Sequence, residues 1–143
     1  MQNYEPFDTA VVQARLKALA TDLREVEGAA EYAAVTKLRD YPAPCAYVLI
    51  AAESGSGTPR GAKATGALAE FGVAIVVSNY RDRRGEQLRP ELVRLLSQVR
   101  SALIGWSPPG AGAIAWRGGA VMDYDESALL WVEAYECVHV LQP

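Results

Sequence analysis

Cys137 and His139 are the residues best suited to covalent chemistry: a thiol and the only histidine of the chain, two positions apart. On a strand both project from one face, and a thiol beside an imidazole base is a candidate for acyl transfer. Positions so spaced stand roughly 6–7 Å apart at their Cα atoms, too far for a short proton-transfer contact. No glycine-rich oxyanion loop lies beside them, so a buried thiol and an edge histidine is the simpler reading. For zinc, one histidine and two cysteines fall short of four ligands unless carboxylates join. Asp123, Asp125 and Glu126 in "MDYDES" lack the spaced oxygens and central glycine of a calcium loop, and read as a solvated turn. Glu133 and Glu136 fall on opposite faces of one strand and cannot act as an acid–base pair. No catalytic constellation emerges, and neither a metal nor a cofactor is expected.

The run "ESGSGTPRGAKATG" (53–66) invites a phosphate reading, which needs Gly-x-x-x-x-Gly-Lys-Ser/Thr. Ala62 separates Gly61 from Lys63, Ala64 stands where the hydroxyl should be, and strand-like sequence follows where a helix N-terminus belongs. The dinucleotide fingerprint fails too, because Arg60 takes the place of its third glycine. Near this run in character is a charged turn with Arg81, Asp82, Arg83 and Arg84. It is either solvated or a protein contact, where arginine pairs bidentately with carboxylates. Arg60, Lys63, Arg81, Asp82, Arg83 and Arg84 are therefore the candidate interaction residues. Trp106, Trp116 and Trp131 suit a core or an interface equally.

The elements that must position these residues follow from periodicity. Val12, Leu16, Leu19, Leu23 and Val26 recur at helical spacing behind Asp8, a capping residue, with Gly28 as a stop. A weaker helix covers "AAEYAAVTKL" until the prolines of "RDYPAP" break it. Strands are expected at 45–52 and 67–80, the second buried on both faces in its later half, with 53–66 as a long hairpin loop between them. "RPELVRLLSQVRSALIG" is the clearest helix, with Leu92, Leu95, Leu96, Val99 and Leu103 inward and Arg94, Gln98 and Arg100 outward. Gly105 closes it and Pro108–Pro109 prevent continuation. A short strand at 113–117, a second up to Tyr124 and a long one from Ala128 to Val140 complete the chain. The expected fold is α+β, a mainly antiparallel four- to five-stranded sheet with helices packed on one face.

The bulk composition agrees. A chain of 143 residues, 50% apolar and 22% charged, suits a single domain over 1–143 with a substantial core. A net charge of −3 gives no basic excess for nucleic acid, and no apolar run reaches membrane-span length. The opening "MQNYEPFDTA" lacks the regions of a secretion signal, and two cysteines far apart are expected to be reduced and buried. A soluble intracellular protein, or one assembled inside a cell, is the expectation.

The order of segments resembles the tail terminator family of tailed bacteriophages. A proline leads into the apolar strand "CAYVLIAA" and a glycine-bearing loop; Phe71, Val73, Ile75 and Val77 then lead to the Asn79, Arg81, Asp82 turn. Gly105, Trp106, Pro108 and Pro109 end the helix, and Asp123 and Trp131 mark the final hairpin. The loop 53–66 is not a fixed family motif, and family members leave the first helix earlier, which implies an end near Asp22. The resemblance implies a structural, non-enzymatic virion protein: a ring, taken as a homohexamer, at the head-proximal end of the tail tube. There it would stop tube polymerisation and offer a surface for head joining, after assembly in the host cytoplasm. Its partners would be its own copies, the tail tube protein and a head–tail connector protein, with no nucleic-acid sequence recognition and no membrane. On that reading loop 53–66 is a docking finger. The alternatives are a head–tail completion (neck) protein and, from another class, a small enzyme using Cys137 and His139.

Overall fold

Consecutive apolar residues at 73–77 require burial on both faces of a strand, and that requirement organises the molecule. The computed structural model describes residues 4–59, 61, 63–78 and 88–143. Its elements are α1 (Ala10–Leu19), β1 (Glu25–Glu27), α2 (Ala29–Ala34), a 3-10 turn (Leu38–Asp40), β2 (Cys45–Pro59), β3 (Thr65–Ser78), α3 (Leu88–Leu103), β4 (Ala115–Tyr124) and β5 (Ala128–Leu141). They build one five-stranded sheet in the order β1-β2-β3-β5-β4. Every neighbouring pair is antiparallel except β1 with β2. The class is α+β, as expected.

The two longer helices share one face of the sheet. Val12 and Leu16 of α1 and Leu95, Leu96, Val99, Ala102 and Leu103 of α3 meet Phe71, Val73, Ile75 and Val77 of β3 there. Each of these side chains except Ala102 contributes about 1.5–3 kcal/mol through removal from water. The opposite face carries Cys45, Tyr47, Ala74, Val76, Ala128 and Leu130, covered by Tyr32 of α2, by Leu38 of the 3-10 turn and by Tyr41 just after it. Tyr32, Tyr41 and Tyr47 form a ring cluster there, with centroids 5.7, 5.5 and 5.4 Å apart. The short helix thus adds cover on the second face.

Helix α2 stops at Ala34, short of the Leu38 limit read for it, and three other elements differ from the sequence reading. Helix α1 ends at Leu19, nearer the Asp22 limit implied by the resemblance than the Val26 limit of the periodicity. Thr21 and Asp22 are weak helix formers, and the Asp22 carboxylate instead accepts hydrogen bonds from Arg94 and Gln98 of α3. Val26 is buried as expected but as the centre of β1, where flanking glutamates give the period of a strand. Second, most of the glycine run is not loop. Strands β2 and β3 stay paired through Ser54↔Leu68 and Gly55↔Ala67 and meet again at Pro59↔Thr65. Small residues carry no alternation, so periodicity could not reveal this pairing. Third, 115–124 is one strand passing through Gly118 and Gly119, with a register irregularity between Trp116 and Gly118. Helix α3 closes at Gly105 with φ +82°, a conformation glycine adopts without strain.

Candidate functional site

Glu133 is the most unusual side chain of the sheet, a fully buried acid on β5 beneath α3. Five donor contacts hold its two oxygens. Arg100 donates through Nε at 2.5 Å and a terminal nitrogen at 3.0 Å, Trp131 Nε1 at 2.9 Å, and Trp116 Nε1 and the Tyr135 hydroxyl at 3.2 Å each. Burial alone would raise the carboxyl pKa, but the hydrogen bonds from Arg100, Trp131 and Trp116, with the charge of Arg100, more than offset it and hold the group below its ordinary value. The Arg100 guanidinium also stacks over the Trp116 ring at 5.0 Å. Gly119 lies opposite Glu133 in the β4–β5 register, where a Cβ would stand 2.2 Å from Glu133 Oε2. Only glycine permits that approach. The cluster therefore ties α3, β5 and the outer strand β4 into one unit.

Sequence reasoning placed Arg100 in water and left two of these tryptophans undecided; the structure turns all three toward Glu133. The signal lay in the pattern Trp131-x-Glu133-x-Tyr135, which puts an acid between two donors on one strand face. Trp106 has a different role. Its ring sits under the Arg15 guanidinium at 4.7 Å, while Arg15 Nε donates to the Ala102 carbonyl, joining α1 to the end of α3.

Cys137 and His139 do share a face of β5, but they do not form a nucleophile and base. Cys137 is buried in the main core, and burial pushes its thiol up to about 11, so the nucleophilic thiolate is scarce near neutrality. His139 is nearly buried and its Nε2 lies 2.8 Å from Glu53 Oε1. The same glutamate oxygen accepts the Phe7 backbone N–H at 2.6 Å, and the Phe7 ring meets the imidazole edge-on at 5.7 Å. Glu53 and His139 thus join the base of the β2–β3 hairpin to β5 and the N-terminal segment. Both cysteines are free and buried, as read.

Asp125 makes the expected turn. One carboxylate oxygen accepts from the Ser127 N–H, the Ser127 hydroxyl and the Ala128 N–H at 2.8–2.9 Å, and the Ser127 bonds foremost hold its pKa low. Among the described residues no group of three or more acids, histidines or cysteines could hold a metal ion. Among the candidate interaction residues, Lys63 is exposed near the hairpin tip and its carbonyl accepts the Tyr4 hydroxyl at 2.8 Å. Arg60, Arg81, Asp82, Arg83 and Arg84 lie outside the described residues. Beside the hairpin base is an open cleft of about 840 Å³ lined by Phe7, Asp8, Ile50, Ala64 and His139 among others.

The family model described as phage tail terminator protein matches residues 2–143. No curated protein matches the sequence. Among solved structures, a chain from the virion of a native gene transfer agent particle superposes with a TM-score of 0.59 at 14% identity. That match covers 92% of this chain and 93% of the other, which shows a shared fold over nearly the whole length.

Proposed function

This chain belongs to the phage tail terminator family, and on that premise we propose that it forms a ring on the head-proximal end of the tail tube. The ring stops addition of further tube subunits and presents a surface for the head–tail connector. The observation that carries the reading is the family match across residues 2–143, supported by the whole-length fold likeness to a virion chain. A subunit of a closed ring needs two unlike surfaces, because head-to-tail contacts are heterologous. Beyond the part of β2 that β1 covers, β2 and β3 stay paired through Gly55 and meet again at Pro59, and the Glu53–His139 contact ties this stretch to β5.

In this reading the hairpin tip, 56–64, reaches a partner outside the ring, while the charged turn 81–86 adds to the contact between copies. Replacing residues 56–64 by a tight turn leaves the subunit folded and abolishes capping or joining. Arg81→Glu or Arg84→Glu leaves the monomer folded but weakens association in a sedimentation titration. The direct test is labelling: tagged protein mixed with purified tail tubes is located by electron microscopy. Label at one end of each tube supports the assignment. Label on connector complexes with bare tubes would instead favour a neck protein.

A further inference from the structure

Among the described residues the sheet has two open edges. On one side, β1 pairs only with Cys45–Tyr47, so no strand covers the outer edge of β2 from Val48 onward among the described residues. On the other side β4 is the last strand, and its ten residues are exposed on both faces except at Gly118. Proteins usually protect such edges with lysine, proline, inward charges or short strands. Gly118–Val121 carries neither a charge nor a proline, and Ala52–Gly55 carries a single inward charge, Glu53, whose carboxylate is already engaged by His139 and the Phe7 N–H. These two stretches are also the parts of each edge that lie between register irregularities.

We propose that neighbouring copies join by continuation of this sheet, with Gly119–Val121 of one copy pairing with Glu53–Gly55 of the next so that Ala120 stands opposite Ser54. This rests on the ring reading and names the contact within it. Strand direction permits it: β2 and β5 run one way and β3 and β4 the other, so an adjacent copy in the same orientation brings β4 antiparallel to β2. Antiparallel pairing is the more stable ladder. The contact is heterologous, since each copy offers one edge and receives the other, as a closed ring requires. Side chains agree as well. Trp116, Val121, Met122 and Tyr124 of β4 are 45%, 47%, 63% and 72% exposed, and Ile50 at the start of the β2 edge is 46% exposed. Apolar exposure of this kind on an unpaired edge is an aggregation hazard unless another copy covers it. The Glu133 cluster gives β4 the firm backing a docking strand needs, through Trp116 and the close approach of Gly119.

Cysteine cross-linking on capped tubes tests the contact. Ser54 lies opposite Leu68, and Ala120 opposite Val132; the register places both on the sheet face away from α1 and α3. Facing positions on adjacent strands bring their Cβ atoms to about 4.5–5.5 Å, within reach of a short bis-maleimide. The native Cys45 and Cys137 are buried and stay silent. Ala120→Cys and Ser54→Cys proteins, mixed on tubes, are expected to cross-link to each other and not to themselves, and the double variant to give a ladder ending at one ring. Capped tubes without this cross-link, or Ala120→Cys linking only to itself, would overturn the edge contact while leaving the ring reading in place. Failure of unmodified protein to bind tubes would overturn the ring reading, and the edge contact with it. As a second readout, Ala120→Lys is expected to keep the unfolding midpoint and lower ring formation at least tenfold; unchanged ring formation would overturn the proposal.

Discussion

Removing Arg100 leaves Glu133 buried with two indoles and a phenol but no counter-charge. Breaking a fully buried pair costs about 3–5 kcal/mol, and the Arg100 side chain is 36% exposed, so Arg100→Met is expected to lose less than that, about 2–3 kcal/mol in urea unfolding, with Glu133→Gln losing less still. Gly119→Ala forces Glu133 and Trp131 to move and is expected to cost about 1–3 kcal/mol despite its exposed position. The acid dependence has a definite sign. The Glu133 pKa is lower folded than unfolded, so its stabilisation is fully present above the ordinary carboxylate value. It is lost as pH falls from there through the folded value, and Glu133→Gln should flatten that acid limb of the stability curve. Little of this was legible in sequence. The single acid amid strand apolars was visible, but its donors come from three elements, and only the pair at i±2 is local. The Cys137–His139 spacing was legible, and so was its inadequacy; the Glu53 partner, 86 residues away from His139, was not.

At the scale of elements, burial on two faces made β3 readable, and the stripe of Leu95, Val99 and Leu103 made α3 readable. Helix α1 was misjudged because residues spaced for a helix were also buried beyond its end, through β1. Two substitutions separate the readings. Leu19 is 48% exposed, so Leu19→Ser is expected within about 0.5 kcal/mol of the parent. Val26 is 3% exposed at the centre of β1, and Val26→Ser is expected to cost about 2 kcal/mol or more. A continuous helix through Val26 would make both costly; thermal or chemical unfolding decides. The run 53–66 was recognised as a hairpin feature, but its strand pairing was hidden because glycine, serine and alanine leave no period to read.

For the whole molecule, one mixed sheet with long helices on one face leaves two unlike edges among the described residues. The family was legible from the ordered set of segments rather than from any reactive residue, and the model match over residues 2–143 agrees with that reading. The central claim is that this protein ends tube growth. Electron microscopy of an induced lysate lacking this gene measures it most directly through the length of tail tubes. The account predicts abnormally long tubes without heads; tails of normal length, whether beside filled heads or joined to them, would contradict it.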